Sequence, residues 1–142
     1  MAYALRLAED APKSLRSPVE RNHRLSLLRE WHIAALTGLV NKAREESGKE
    51  KAKPFFDPLD GGVVARCLFL LEAPGPRAVA SGFVSRNNPD ESARNFFGLN
   101  REAGISRELT ITWNIVPWHI GSGKKIRPAG RSDLDCGMWH LE

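Results

Sequence analysis

The chain has 142 residues, of which 42% are hydrophobic and 27% are charged. This length predicts one domain, and the composition is that of an ordinary globular protein with enough apolar residues for a core. No apolar run approaches the roughly 20 residues that span a bilayer, and the N-terminal segment, with its acidic Glu9 and Asp10, does not read as a signal peptide. We therefore expect a cytoplasmic protein without a membrane partner.

The net charge indicates the kind of partner, and the cysteine content limits the kinds of metal site. The net charge is +4 and the pI is about 9.4, which favours an anionic partner without proving one. Cys67 and Cys136 are the only cysteines. They are far apart, so a zinc site or iron–sulfur cluster built from cysteines alone is excluded. We expect no metal and no cofactor, and we expect Cys67 to be a small buried residue in a strand.

The N-terminal part, about residues 1–48, is predicted to be helical. The run Ser17-Pro18-Val19-Glu20 is typical of a helix start, because serine can cap, proline suits the first position and glutamate can close a capping box. Apolar residues follow at helical spacing and Gly48 is a natural stop, so we predict one long helix from about Pro18 to Ser47. Its basic residues could contact DNA, but a solvated helix face explains them better.

A βαβ unit is predicted for about residues 62–131. Val63–Leu71 is short and almost wholly apolar, which is typical of a strand buried on both faces. A loop follows over residues 76–88, a helix starts with Asn88 as its cap, and Leu109–Val116 alternates as a second strand. Such crossovers are right-handed, so the strands are predicted to be parallel, with their C-terminal ends at the edge where α/β sheets bind ligands.

Polar and aromatic residues stand where these strands end. Asn114 interrupts an apolar strand, and its amide can equally pair with the edge of a nucleobase or brace a loop. Glu72 could hold a substrate amide or orient a water, although taken alone it more often braces a loop. Pro74 and Gly75 shape a turn whose backbone amides can face a ligand. Phe83 could stack on a flat base, but loop aromatics more often anchor loops.

A basic loop follows the second strand over residues 117–130. Its Lys124, Lys125 and Arg127 could contact DNA phosphates, although a solvated loop is the commoner reason for such a cluster. A third helix is predicted to open just after this loop, at Ser132 or Asp133. His119 could be a proton donor, but a lone histidine beside Trp118 is usually structural, and the sequence settles no role for His119 or His140.

Together these residues resemble the uracil-DNA glycosylase superfamily over about Asp57 to Gly137. The turn Leu71-Glu72-Ala73-Pro74-Gly75 resembles its first catalytic motif, closest to the Gly-Glu-Ala-Pro-Gly form of the thermophile-type branch. Gly82-Phe83-Val84-Ser85 resembles the segment whose aromatic ring stacks on the flipped uracil. Asn114 falls where the superfamily places the asparagine that reads the uracil edge, and Trp113 to Gly121 is similar to a bacterial branch without an iron–sulfur cluster.

The resemblance implies a three-layer αβα fold with a short parallel sheet, and hydrolysis of the bond between uracil and deoxyribose after the base has been flipped out of DNA. It implies that Phe83 stacks on the ring and that Asn114 binds the Watson–Crick edge and rejects cytosine. Glu72, Ala73, Pro74 and Gly75 would bind the uracil, and the N–H groups of this turn would hold its oxygens and stabilise the anionic leaving group. The partners would be uracil-containing DNA and free uracil as the product.

Three departures from the family pattern limit that implication. Ala73 stands where the fastest members carry a water-positioning aspartate, which leaves Glu72 as the candidate base. Gly75 stands where some members carry a tyrosine that excludes thymine. The family's His-Pro-Ser motif has no counterpart, and Gly137-Met138-Trp139-His140 does not match it.

We therefore expect a chain that is truncated after the second core strand, with impaired activity. Two alternatives stay open: a non-catalytic DNA- or nucleobase-binding fragment of the same fold, and an unrelated nucleotide-binding domain. We expect a monomer, for which an uncovered sheet edge would offer a route to association.

Overall fold

The computed structural model describes residues 8–47, 53–123 and 125–139. The helices in these ranges are α1 (Pro18–Ser26), α2 (Ala34–Ser47), α3 (Pro76–Ser81), α4 (Glu91–Glu102) and α5 (Arg131–Trp139). The strands are β1 (Phe55–Phe56), β2 (Cys67–Leu71), β3 (Phe83–Val84), β4 (Thr110–Asn114), β5 (Gly121–Ser122) and β6 (Lys125–Ile126), and single 3₁₀ turns occur at Ser14–Arg16, Gly62–Val64 and Arg107–Leu109. None of the helices in the described ranges is both long and apolar enough to cross a membrane.

Parallel strand pairs organise the fold. β2 pairs with β4 from Cys67↔Thr110 to Leu71↔Asn114, and β1 pairs with β3 in the same sense. β5 and β6 form a short antiparallel ribbon. The predicted α/β class with a short parallel sheet is confirmed. The register places the end of β2 directly beside Asn114, so the turn that follows β2 starts next to that residue.

The core lies between α2 and the strands. Phe56 and Trp113 stack with ring centroids 3.9 Å apart and an interplanar angle of 13°. Burial of each large apolar side chain in such a core contributes roughly 1.5–3 kcal/mol. The buried members of this cluster are Ile33, Val40, Phe56, Val84 and Trp113, and a smaller cluster contains Leu15, Leu28 and Phe83.

The predicted single helix over residues 18–47 is wrong, because the chain breaks into α1 and α2 across turns at residues 27–33. The backbone carbonyl of His32 accepts a hydrogen bond from Val63 N at 2.8 Å, and the His32 ring Nε2 lies 2.8 Å from the Pro58 carbonyl oxygen. These contacts bind the segment to the loop ahead of β2 instead of to a helical turn. The break also buries Ile33 completely. The predicted stop at Gly48 lies outside the described residues.

The prediction that the first strand is buried on both faces is also wrong. Leu68 and Leu70 of β2 are 51% and 45% exposed, and Cys67 is exposed rather than buried. Within the described residues β2 has one paired neighbour, β4, so its far edge and much of both faces meet solvent. An apolar run predicts a strand, but its burial depends on neighbours that the run does not specify.

Residues 76–88, predicted as a loop, contain α3 and β3. The helix that follows begins at Glu91, and its cap is Asp90, whose side chain accepts a hydrogen bond from Ala93 N at 2.8 Å. Asn88, the predicted cap, instead donates its amide to the Phe83 carbonyl oxygen at 2.9 Å. The last helix, α5, begins within two residues of its predicted start.

Candidate functional site

A cavity of about 390 Å³ lies at the C-terminal ends of β2 and β4. This volume falls within the range of small-molecule sites. Its wall consists of the turn after β2, the start of α3, the segment that joins β3 to α4, one face of α4, and the end of β4. The lining residues include Ala73, Pro74, Gly75, Arg77, Ser85, Arg86, Asp90, Phe96, Thr112, Asn114 and Ile126.

Asn114 is the last residue of β4 and lines this cavity. It is only 2% exposed, yet its side-chain amide makes no hydrogen bond to any residue that the structure describes. A buried amide normally has partners for both its donor and its acceptor. Asn114 therefore offers an uncommitted donor and an uncommitted acceptor at the cavity wall.

The turn after β2 is held close to Asn114 by three contacts. Leu71 O accepts a hydrogen bond from Ile115 N at 2.8 Å, and Glu72 O accepts one from Val116 N at 2.9 Å. The ring Nδ1 of His119 lies 3.1 Å from Pro74 O, which gives this histidine a structural role at the turn. These bonds extend the parallel pairing past the ends of both strands, so the turn and Asn114 form one rim.

Two backbone donors in the turn are uncommitted. The N–H groups of Ala73 and Gly75 donate no hydrogen bond within the described part of the chain, and both residues line the cavity. Backbone N–H groups have a fixed direction and need no reorganisation to meet an anionic or carbonyl oxygen. Pro74 between them lacks an N–H and restricts the backbone of the turn.

Glu72 does not line the cavity. Its side chain is exposed, and its Oε1 accepts a hydrogen bond from Ala129 N at 2.7 Å. This is the loop-bracing arrangement that the sequence offered as the alternative to catalysis. The catalytic role of Glu72 stays a prediction, and it would require the carboxylate to leave Ala129 and turn toward the cavity.

Phe83 is fully buried in the cluster with Leu15 and Leu28 and does not line the cavity. Stacking on a base would require its ring to leave this core. The aromatic ring that lines the cavity is Phe96 of α4, which meets Phe69 edge to face at 4.9 Å between centroids. In the sequence, Phe96 belongs to an apolar stripe with Ala93 and Phe97 at helical spacing, and Ala93 also lines the cavity. A helix packed beside the strand ends brings such a stripe to the site, and this signal could have identified the ring.

Two arginines give the cavity a basic rim. Arg77, at the start of α3, is exposed and lines the opening. Arg86 also lines the cavity, with its guanidinium 4.8 Å from the centre of the Phe97 ring and 2.5 Å from Asp10. Because Arg86 is paired with Asp10, Arg77 is the side chain that suits a phosphate or another anion at the mouth of the site.

The predicted DNA-binding loop lies beside this rim. Lys125 and Arg127 are exposed on either side of Ile126, which lines the cavity. Arg127 donates two hydrogen bonds to Asp133, at 2.6 and 2.9 Å, so its charge is largely offset. Lys124 lies outside the described residues, as does His140.

A buried ionic network, not predicted from the sequence, supports the cavity from below. Arg107 is 7% exposed, and its guanidinium donates to Asp60 at 2.8 Å, to Asp57 at 2.8 Å and to Asp10 at 2.6 Å. Asp57 also receives a hydrogen bond at 3.0 Å from Arg24, which is fully buried. This network joins the segment before α1, α1 itself, the loop before β2 and the turn before β4.

Two hydrogen bonds connect the network to the cavity wall. Ser85 Oγ donates to Asp57, and Thr112 N donates to Asp60 Oδ2 at 3.3 Å. Both Ser85 and Thr112 line the cavity. The carboxylates of Asp57 and Asp60 therefore hold two parts of the cavity wall in place.

The carboxylates of the network differ in pKa. Burial raises the pKa of Asp60 to about 7, and the neighbouring Asp57 adds to this rise while Arg107 opposes it. Burial also acts to raise the pKa of Asp10, but hydrogen bonds from Arg86 and the charge of Arg107 outweigh it and hold the pKa at about 2. The difference follows from exposure, because Asp10 lies at the edge of the network and Asp60 lies inside it.

The chain has no significant match to any protein-family model, to any curated protein sequence or to any solved structure. In the part of the chain that the structure describes, no group of three or more histidine, cysteine, aspartate or glutamate side chains is placed to hold a metal ion. The hydrogen-bond donors, acceptors and aromatic ring of the cavity therefore indicate which ligand it could bind.

Proposed function

We propose that this chain is a uracil-DNA glycosylase-like protein whose cavity holds a uracil base flipped out of DNA. The observation that carries the proposal is the uncommitted amide of Asn114, 2% exposed at the cavity wall. An amide offers one donor and one acceptor side by side, which complements the carbonyl and adjacent N–H on the edge of uracil. The resemblance of the Leu71–Gly75 turn to the first catalytic motif of that superfamily supports the same ligand.

The turn favours uracil over cytosine. The N–H groups of Ala73 and Gly75 are fixed donors, so they suit a ring that carries carbonyl oxygens on both sides of its N–H. Uracil has two such oxygens, whereas cytosine replaces one with an amino group that is itself a donor. A buried donor that faces another donor loses its hydrogen bond, at a cost of about 1–3 kcal/mol. Phe96 supplies the aromatic surface against which the planar base packs.

In an excision reaction, the same donors would act on the leaving group. Cleavage of the bond between base and sugar leaves negative charge on the uracil ring, and preorganised N–H groups stabilise such charge in the transition state. Excision also requires a carboxylate that orients the attacking water. Asp90 is the carboxylate in the cavity lining, but its Oδ1 is engaged in capping α4.

One observation favours a second function, which is binding without excision. Glu72, the predicted base, is exposed, bonded to Ala129 and outside the cavity lining. If Glu72 keeps this position when DNA is bound, the site retains its donors for uracil but has no carboxylate free to activate water. The chain would then be a nucleobase-binding protein with the same specificity.

Incubation with uracil-containing and thymine-containing DNA of the same sequence, single- and double-stranded, tests both functions. Abasic sites in the uracil strand alone, seen as alkali-labile breaks, would support the glycosylase. Preferential binding of uracil DNA without breaks would support the binding function. We expect Asn114→Ala to weaken uracil recognition by at least about fivefold, equivalent to roughly 1 kcal/mol.

The matched control is Asn95→Ala, which removes an exposed asparagine on α4 that does not line the cavity. It should leave uracil recognition unchanged. Equal binding of uracil and thymine DNA, combined with no effect of Asn114→Ala, would contradict both functions and would favour an unrelated nucleotide-binding domain.

A further inference from the structure

The outer edge of β2 is an exposed apolar feature, and of its leucines only Leu71 also lines the cavity. Leu68, Leu70 and Leu71 are 51%, 45% and 46% exposed, and within the described ranges β2 pairs with β4 alone. An open strand edge presents unpaired N–H and C=O groups that can pair with another strand. Exposed leucines on such an edge add an apolar contribution to that pairing.

The backbone directions on β2 fix how a partner strand would pair. Thr110 O accepts a hydrogen bond from Gly61 N and Thr112 N donates to Asp60, so both residues direct these groups away from β2. Their register partners Cys67 and Phe69 therefore direct their backbone groups to β4, and the alternate residues Leu68 and Leu70 direct theirs to the open edge. An antiparallel partner would form its hydrogen-bonded pairs with these two leucines.

The charges that flank β2 identify the partner. The segment reads Arg66-Cys67-Leu68-Phe69-Leu70-Leu71-Glu72, with a cation before the strand and an anion after it, and both end residues are exposed. In an antiparallel pair of two such segments with a two-fold axis at Phe69, Arg66 of each copy lies opposite Glu72 of the other. Leu68 then lies opposite Leu70, in agreement with the backbone directions.

Other registers lose this match. If Leu68 lay opposite Leu68 of the second copy, Arg66 would face Leu70 and Glu72 would have no partner on the strand. If Leu70 lay opposite Leu70, Glu72 would face Leu68 instead of a cation. The register centred on Phe69 pairs both charges and both sets of leucines at once.

We propose that β2 is a self-complementary edge, and that two copies of this chain pair antiparallel through it to form a continuous four-stranded sheet, β4-β2-β2-β4. The inference rests on the strand edge and its flanking charges, and it is independent of what the cavity binds. The Glu72 carboxylate keeps one oxygen for Ala129 and has a second oxygen to offer to Arg66 of the other copy.

Charge reversal tests the pairing. Arg66→Glu places glutamate opposite glutamate at both ends of the interface, and Glu72→Arg places arginine opposite arginine. Opposite-charge pairs across strands contribute roughly 0.2–1 kcal/mol each and like charges destabilise. Because the two-fold axis doubles every change, we expect each single variant to raise the dimer dissociation constant by at least about tenfold in sedimentation analysis.

Mixing the two single variants tests the proposed register directly. A mixed dimer of Arg66→Glu with Glu72→Arg places opposite charges at both ends, so association should return on mixing, to within about threefold of the unaltered chain. A variant that had merely unfolded would not be rescued by mixing. Arg101→Glu reverses an exposed charge on α4 and should leave the dissociation constant unchanged.

Three results would overturn the proposal. A chain that sediments as a monomer at every concentration would refute it. A dimer that neither single variant weakens would place the interface elsewhere on the molecule. Single variants that stay folded by circular dichroism but fail to associate when mixed would refute the antiparallel register.

Discussion

Replacement of Arg107 by methionine tests whether the buried ionic network holds the fold together. The change keeps an unbranched apolar stem and removes the guanidinium that donates to Asp10, Asp57 and Asp60. Asp57 is fully buried and Asp60 is 5% exposed. Two buried carboxyl groups would thus lose their shared cation: Asp57 would stay charged, whereas Asp60, whose pKa is already raised to about 7, would take up a proton at neutral pH.

Removal of one partner from a buried ion pair destabilises a protein by roughly 3–5 kcal/mol, because an uncompensated charge remains. Asp57 keeps its bond to Arg24, which limits the loss there, whereas Asp60 loses its one cationic contact within the described residues. We expect Arg107→Met to lower the free energy of unfolding by about 3 kcal/mol or more at neutral pH. This is a large part of the total, which is only about 5–15 kcal/mol for a small domain.

Urea unfolding followed by tryptophan fluorescence measures this loss, since Trp113 is buried against Phe56. Arg107 lowers the pKa of Asp57, and the stability that this gives is lost as the pH falls below about 4, so the deficit of Arg107→Met should shrink when unfolding is repeated near pH 3. Arg101→Met, at an exposed site, should change stability by less than about 0.5 kcal/mol. A loss below about 1 kcal/mol at pH 7, or a deficit that does not depend on pH, would refute the role assigned to the network.

The pKa of Asp60, raised by burial to about 7, makes the native state bind more protons than the unfolded chain between pH 4 and 7. The free energy of unfolding should therefore fall as the pH rises from 4 to 7, by up to about 4 kcal/mol. Asp60→Asn should flatten this pH profile in urea titrations. Gly137→Ala should destabilise by roughly 1–3 kcal/mol, because its Cβ would lie 1.9 Å from a backbone carbonyl oxygen. Gly98→Ala, with no atom within 4 Å of its Cβ, should raise the thermal midpoint through helix propensity instead. Phe96→Ala should weaken uracil binding in calorimetry while the fold survives. Phe83→Ala should mainly lower stability, by roughly 3–5 kcal/mol, and a specific loss of affinity in a fully folded Phe83→Ala protein would restore its predicted stacking role.

The parallel pair at the centre of the fold could be predicted because its causes are local. Two apolar runs of strand length flank a helix with a clear apolar stripe, and the handedness of such crossovers leaves one arrangement. That arrangement brings the turn at Pro74 and the amide of Asn114 to one rim, as the structure shows.

What could not be predicted depends on contacts between distant segments. The break between α1 and α2 follows from hydrogen bonds of His32 with Val63 and Pro58. The spacing of apolar residues along the chain does not indicate such contacts. Asp60 and Arg107 each look like a solvated surface charge when they are considered singly, and only the folded chain brings them together.

The two phenylalanines illustrate the same limit at the site. A resemblance of short motifs assigned the stacking ring to Phe83, whereas packing places Phe83 in the core and Phe96 at the cavity. The sequence placed Phe96 in the apolar stripe of its helix and Phe83 in a loop, where an aromatic ring either anchors the loop or stacks on a base. The choice between core and cavity depends on which neighbours fill the space around each ring, and a single sequence does not specify that.

The most direct test of the central claim is a titration of the ¹⁵N-labelled chain with free uracil, followed by NMR of the Asn114 side-chain amide. That resonance is assigned by its loss in Asn114→Ala. We expect its signals and the backbone amides of Ala73 and Gly75 to shift together and to saturate, while cytosine, which lacks one of the two carbonyl oxygens, produces weaker shifts. If uracil leaves these three residues unmoved, or shifts residues away from the cavity instead, the proposal that this rim reads the edge of uracil is wrong.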